Sequence, residues 1–360
     1  MVIVSCSQPL YQQCGQGIFG FQKGKLKMKR DLYWDTIKFV LIFLVIYGHA
    51  ISGIPAFDRF NLAMYNFLYM FHMPLFIFIS GRFSQLHDCN RYKKGILRIF
   101  ETYVVFQLIR CLVQTFHGSE FTAAYLYTPN WIMWYLFSLM TWRLTIFFIP
   151  AKFLEHKGKV IPLCFGISLL AGFIPIGNAF ALQKSLAYLP IFALGYYSAD
   201  INVQSWIKAK IPSSIAAVTI LAVFVTFYLI NRNFASVTQC NAPYWDSKYP
   251  AIFKCFERGV FLASALILSA MVVRVVPCIK AFSTWGSMTL FIYLFHSFAL
   301  REFLFPLIRS GILPVNDVLL PVYSMALLLV LVILSRISFL KILLNPISSW
   351  DKLDNSQEHH

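Results

Sequence analysis

The sequence predicts an all-α protein: a polytopic transmembrane bundle of about ten spans with both termini in the cytoplasm. Three observations predict it. Of 360 residues, 58% are hydrophobic and only 13% are charged, and mean hydropathy is +0.65; soluble domains do not tolerate that balance. Apolar runs of spanning length recur along the chain, and the short alternating segments of a β-barrel are absent. Basic residues also favour alternate loops. Segments 23–30, 82–98, 152–159, 208–210, 274–280 and 336–352 hold most of the Lys and Arg, whereas the alternate connections hold Arg59, Lys184, Arg232, Lys248, Arg301 and Arg309. That asymmetry places the basic loops inside. It also explains the net charge of +16 without nucleic acid. The eight Cys are scattered, with no CxxC pair and no His/Cys cluster at metal spacing, so no metal is expected.

Residues 1–27 lack helical period, and their basic run follows the apolar residues, the wrong order for a signal peptide. We expect the authentic start at Met28, with 1–27 an extension or a disordered tail. The membrane domain then occupies 28–340, and 341–360 is a short polar cytoplasmic tail. Spans are expected at 36–52, 61–83, 99–116, 131–149, 160–176, 185–199, 215–231, 252–273, 285–300 and 318–334. The second contains Pro74, which should kink it because proline removes an N–H from the helix ladder. The loop at 84–98 carries Arg91, Lys93, Lys94 and Arg98. The loop between the seventh and eighth spans is the longest and holds Cys240.

Polar groups in or beside the spans are few. Lys38, His49, His72, Ser80, Glu101, Arg110, Arg143, Glu257, Arg258, His296 and Glu302 are the main ones. Lys38 opens the first span, and His49 lies eleven steps further on. At ~1.5 Å per residue that is about 16 Å, roughly half a bilayer's hydrocarbon core. A cation thus sits near one interface and an imidazole sits at depth, and ionisable groups there are functional candidates by default. His72 comes from the antiparallel second span and falls at similar depth. Imidazole can accept a proton from a hydroxyl near neutral pH. The structural alternative for His72 is a hydrogen bond to a backbone carbonyl freed by Pro74. Lys38, Arg98, Lys94 and Lys93 can hold an anionic cofactor's phosphates; the alternative is anchoring to lipid headgroups. Trp131 and Trp134 read first as an interfacial belt, and Arg143 as a snorkelling cation. Glu257 either pairs with Arg258 or faces the cavity. His296 is either a structural hydrogen bonder or a substrate contact.

Several pieces, taken in order, carry a resemblance. They are Trp34-Asp35-Thr36-Ile37-Lys38, Tyr47-Gly48-His49, and Phe71-His72-Met73-Pro74-Leu75-Phe76 running to Ser80-Gly81. They continue with the basic stretch to Arg98 and Tyr103, Trp131 to Trp134-Tyr135-Leu136, and Tyr293-Leu294-Phe295-His296. Together, over 30–336, they resemble the acyltransferase 3 family of integral-membrane O-acyltransferases, in particular its fucose 4-O-acetylase-like and polysaccharide O-acetyltransferase group. The family usually has Arg where this chain has Lys38, which keeps the charge and loses the bidentate fork. Lys94-Gly-Ile-Leu-Arg98 approximates the family's Arg-x-x-Arg.

The resemblance implies transfer of an acetyl or other acyl group from cytoplasmic acetyl-CoA, or another acyl-CoA, to a hydroxyl of a lipid-linked or exported glycan. The setting would be a bacterial inner membrane. His49 would be general base or transient acyl carrier, with His72 beside it. Lys38, Arg98, Lys94 and Lys93 would bind the CoA. Asp35, Ser80, Trp134, Glu257 and His296 would contact substrate. Membrane lipid is an expected partner, nucleic acid is not, and an oligomer is compatible with this reading. From another class, a transporter or flippase of a lipid-linked glycan intermediate would also use intramembrane charges and a Pro-containing helix. A membrane sensor or structural subunit is a third reading, and it expects no CoA binding.

Overall fold

The computed structural model describes residues 31–344, apart from 55–57, 119, 121, 176–178, 338–339 and 341–343. The expected extension 1–27, and all but Leu344 of the expected tail 341–360, lie outside the described residues. Every regular element among the described residues is helical. The main ones are α1 (Leu32–Ser52), α2 (Arg59–Arg82), α3 (Cys89–Phe116), α4 (Trp134–Phe148), α5 (Lys157–Ala171), α6 (Leu182–Tyr197) and α7 (Val203–Lys210). They continue with α8 (Ser213–Ile230), α9 (Ala251–Val275), α10 (Lys280–Gly286), α11 (Thr289–Phe298) and α12 (Leu319–Leu334). A 3₁₀ turn, Trp131–Met133, leads into α4, and a π-helical segment, Ala299–Leu304, extends α11.

All ten expected spans are helical. Among the described residues, six helices are long and apolar enough to cross a membrane: α1, α2, Trp131–Phe148, α8, α9 and Thr289–Arg309; α12 is a shorter apolar helix. Two boundaries differ from expectation. The basic segment 84–98 is mostly not a loop, because α3 starts at Cys89. The Asp88 side chain accepts the Asn90 and Arg91 amides at 2.8 and 3.0 Å, which caps the helix. The helix then carries its cations on an extension that needs no apolar surroundings. The ninth span is preceded by a separate short helix, α10, with a break before Thr289. Pro74 lies inside α2, which runs on without interruption.

Helix α1 packs against α2, α10, α11 and α12. Ile37, Leu41, Ile42, Ile46, Ala50 and Ile51 have essentially no exposed surface. Asp31 caps its first turn through the Tyr33 amide at 3.0 Å. Thr36 Oγ1 donates to the Ile279 carbonyl at 3.1 Å, and the Tyr33 hydroxyl donates to the Val273 carbonyl, so the start of α1 is tied to the α9–α10 connection.

Glycine sets how closely the helices approach. A Cβ on Gly286 would lie 1.9 Å from the Asp35 carbonyl oxygen, so α10 rests on the α1 backbone. At the crossing of α2 and α6 the contact is reciprocal. A Cβ on Gly81 would lie 2.1 Å from the Phe192 oxygen, and one on Gly195 would lie 2.0 Å from the Phe78 oxygen. Lipid supplies no hydrophobic drive between helices, so such close backbone packing is a main source of their association. Gly195→Ala should destabilise the protein by about 1–3 kcal/mol, seen as a lower melting midpoint in detergent. Gly166→Ala, in open space in the middle of α5, should not lower that midpoint and should raise it slightly, because alanine favours the helix.

Candidate functional site

The antiparallel helices sort the polar side chains into two groups at opposite ends of the bundle. At one end lie the start of α1, the ends of α2, α4 and α6, and the start of α3 and α11. At the other lie the end of α1, the starts of α2, α4 and α6, and the ends of α3 and α11.

The first group surrounds a chamber of about 420 Å³, within the usual range for small-molecule sites. Lys38, Arg98 and Arg143 line it together with Ser80, Thr102, Tyr135, Ser287, Thr289 and Tyr293. The remaining walls are apolar, including Met73, Phe76, Leu136 and Leu139. Three cations therefore face one cavity. Lys38 is fixed by Asp35, with Nζ 2.6 Å from a carboxylate oxygen one helical turn earlier, and its ammonium lies 5.7 Å from the Phe83 ring centre. Arg143 donates from Nε to Ser84 Oγ at 3.1 Å and lies over the Tyr92 ring at 5.9 Å. Arg98 is exposed. Ser80 Oγ and Tyr135 Oη are 2.5 Å apart. The Tyr293 hydroxyl donates to the Ile132 carbonyl, and the rings of Tyr135 and Tyr293 meet edge to face at 5.4 Å.

The second group centres on His49. Its Nδ1 is 3.2 Å from the Tyr69 hydroxyl. Its ring stacks on His296 at 5.5 Å and meets Trp131 edge-on at 4.8 Å. Tyr69 is itself stacked on Tyr65 at 4.1 Å, and the Tyr65 hydroxyl accepts from Gln239 Nε2 at 3.0 Å. His72 meets the other side of Tyr69, at 4.8 Å between rings. The three histidines of α1, α2 and α11 therefore share one neighbourhood. His72 gives its Nδ1 to the Leu68 carbonyl and is fully buried. That is a backbone bond, although to a carbonyl other than the one at residue 70 that Pro74 leaves without its N–H. His296 Nδ1 is 3.2 Å from the Ile292 carbonyl, and its Nε2 has no hydrogen-bond partner among the described residues. His49 as a residue is partly exposed.

One layer separates the two groups. Tyr293 lines the chamber and lies 5.8 Å from His296, which stacks on His49.

The sequence-derived candidates divide clearly. Lys38, Arg98 and Ser80 line the chamber, and Asp35 acts on it through Lys38. His49, His72 and His296 come together. Trp134 lies between the Lys184 ammonium, 4.9 Å from its ring, and Tyr188, stacked at 5.7 Å. Lys93 and Lys94 are exposed on α3 and do not line the chamber; the Lys93 ammonium sits 5.3 Å over the Phe147 ring. Glu257 pairs with Lys254 at 2.6 Å. Its neighbour Arg258 turns inward to the Ser168 carbonyl and the Tyr244 ring, so the local Glu257–Arg258 pair is not formed. Arg143 belongs to the chamber, and its position as an intramembrane cation was the available clue. Tyr135 and Tyr293 stand in the pieces that carry the family resemblance without being singled out as site residues, and Tyr69 gave no such clue, since tyrosines are common throughout the chain. Among the described residues, no group of three or more His, Cys, Asp or Glu could hold a metal.

The profile of the acyltransferase 3 family, described as an acyltransferase domain, matches residues 31–339. Two curated relatives share shorter stretches. Nodulation protein NolL of Mesorhizobium japonicum is 48% identical over 58 residues, 15% of this chain and 16% of that protein. Nodulation protein NolL of Sinorhizobium fredii is 46% identical over 55 residues, 14% and 15% of the respective chains. No solved structure matches.

Removing the Tyr69 hydroxyl tests how the His49 ring is held. Tyr69→Phe keeps the ring contacts and deletes the hydroxyl's bonds to His49 Nδ1 and to Tyr65. It should lower stability by about 2 kcal/mol, since each hydrogen bond contributes about 1 kcal/mol. The His49 imidazole resonances should broaden or shift by NMR.

Proposed function

Because the chain belongs to the acyltransferase 3 family, we propose that it transfers an acetyl group, or another acyl group, from cytoplasmic acyl-CoA to a glycan hydroxyl, with His49 as general base. The observation that carries this reading is the pairing of the two sites. A chamber with three cations at its rim ends one aromatic layer short of a half-buried histidine held by a tyrosine hydroxyl.

The donor end fits an elongated anionic thioester. Phosphates of CoA bind Lys38, Arg98 and Arg143 by charge-assisted hydrogen bonds. The largely apolar wall beyond them suits the pantetheine arm. Asp35 keeps Lys38 aimed at the chamber. Tyr135 and Tyr293 close its inner end, and the arm reaches His49 when this pair parts.

His49 is the base. When its Nδ1–H donates to the Tyr69 oxygen, Nε2 carries a free lone pair. Nε2 takes the proton of the acceptor hydroxyl as that oxygen attacks the thioester carbonyl carbon. The new C–O ester bond forms and the C–S bond breaks. The CoA thiolate leaves with the electron pair and takes up the proton from the imidazolium. Direct transfer needs no acyl-histidine and only one passage of the carbonyl through a tetrahedral state. His72 and His296 pack around this ring and keep it in place. The acceptor is a glycan hydroxyl, lipid-linked or exported, arriving from the end of the bundle opposite the donor.

Two experiments test the reading. Purified protein given acetyl-CoA and a sugar acceptor should release CoA thiol, and His49→Ala should lower that release at least ~100-fold, in line with the loss of a general base, with unchanged expression. Full turnover in the variant would eliminate His49 as the base, and absence of any CoA release would favour the transporter. Lys38→Ala, Arg98→Ala and Arg143→Gln should each raise KM for acetyl-CoA more than they lower kcat. Lys38→Arg should be tolerated. An unchanged KM in all three would remove the donor assignment.

A further inference from the structure

Arg110 has no role in the donor chamber, and its surroundings leave its charge unanswered. It lies near the far end of α3, with 2% of its surface exposed. Its Nε and Nη2 have no hydrogen-bond partner among the described residues. The guanidinium is held by rings alone, 4.7 Å from Phe298 and 5.7 Å from Trp131. Aromatic faces return only part of the hydration that a buried guanidinium gives up. The nearest described acid is no remedy: Glu302 acts on Arg110 from a distance and is bonded to His117 Nε2 at 2.7 Å.

A second cation sharpens the deficit. Arg301 lies 5.0 Å over the same Trp131 ring and within electrostatic reach of Arg110. It sits in the π-helical segment Ala299–Leu304, a rare geometry that recurs at functional sites. Trp131 has φ of +36°, a left-handed backbone that a side-chain-bearing residue rarely adopts. Its ring stands between the two arginines and His49. Beside them, the buried His296 Nε2 is unpartnered. With Nδ1–H on the Ile292 carbonyl, that atom accepts a hydrogen bond.

We infer that Arg110 and Arg301 form an oxyanion subsite for the acceptor, so that the hydroxyl presented to His49 belongs to a sugar bearing a carboxylate or a phosphate. Arg301, exposed at the rim, draws the anion in, and Arg110, buried at the base, binds it. The hydroxyl to be acylated then lies one indole ring away, between His49 and His296 Nε2. This inference rests on the acyl-transfer reading for its catalytic meaning, and its binding component stands apart from turnover.

The test uses the full-length protein in nanodiscs and three probes: a methyl glucoside, the corresponding methyl glucuronide and glucose 1-phosphate. In thermal-shift titrations the two acidic sugars should stabilise the parent at concentrations at least ten-fold lower than the neutral one. Which acidic sugar binds better distinguishes a carboxylate from a phosphate. Arg301→Gln, at an exposed position, and Arg110→Lys should each erase the advantage. In turnover, both variants should raise the acceptor KM about ten-fold without changing KM for acetyl-CoA. Equal binding of neutral and acidic sugars by the parent would overturn the subsite. So would variants that lower kcat while the acceptor KM stays fixed, because that pattern belongs to a group stabilising the transition state. Failure to release CoA with any acceptor, while the acidic sugars still bind, would instead remove acyl transfer and leave the subsite standing.

Discussion

The absence of a side chain at Gly286 governs the geometry of both sites. Because no Cβ intervenes, α10 lies directly on the carbonyl of Asp35. Asp35 is the residue that holds Lys38, so the chamber's cation is fixed in the same turn that makes the helix contact. Three residues beyond Gly286, at Thr289, the chain enters α11, which packs against α1. That packing brings Tyr293 to the chamber wall and His296 onto the ring of His49. The reciprocal glycine contact between α2 and α6 has the same effect on the opposite flank. It locks α2, and with it Ser80, Tyr69 and His72, against a rigid neighbour. Close backbone packing is the force available between helices in lipid, and here it also sets the register of the functional side chains.

Much of this was legible in the residues themselves. Composition and hydropathy fixed the class, since all ten apolar runs became helices. The separation between Lys38 and His49 was readable because a helix converts residue spacing into depth. Ser80 and Arg98 were found by their place in a family pattern. What could not be read was tertiary. The basic run before the third span looks like a loop by composition, yet Asp88 caps a helix there; all three cations are exposed, and only the path of the helix past the chamber separates Arg98 from Lys93 and Lys94. Glu257 has cations on both sides of it in sequence. Only helix geometry decides that Lys254, one turn away, takes it and that Arg258 faces the interior. The tyrosines around the histidines are among 18 in the chain, and no periodicity marks the three that matter.

The two ends of the bundle differ in how charge is met. At the chamber end, cations are exposed or have polar partners, as with Lys38 on Asp35 and Arg143 on Ser84. On the acyl-transfer reading, those partners would be exchanged for phosphates. At the far end, Arg110 packs against rings, and its Nε and Nη2 find no acceptor among the described residues. The first pattern suits a mobile, water-accompanied cofactor, and the second suits a group that arrives with its own negative charge and stays while a bond is made.

The thin aromatic partition of Tyr135 and Tyr293 has a consequence for the cell as well as for the chemistry. A protein with hydrated cavities entering from both faces of a bilayer risks becoming a leak for protons and small ions. Here two rings packed edge to face, with their hydroxyls engaged by Ser80 and by the Ile132 carbonyl, stand between the chamber and the histidines. On the acyl-transfer reading, that pair of side chains would also have to keep the bilayer electrically tight while substrates enter from its two faces.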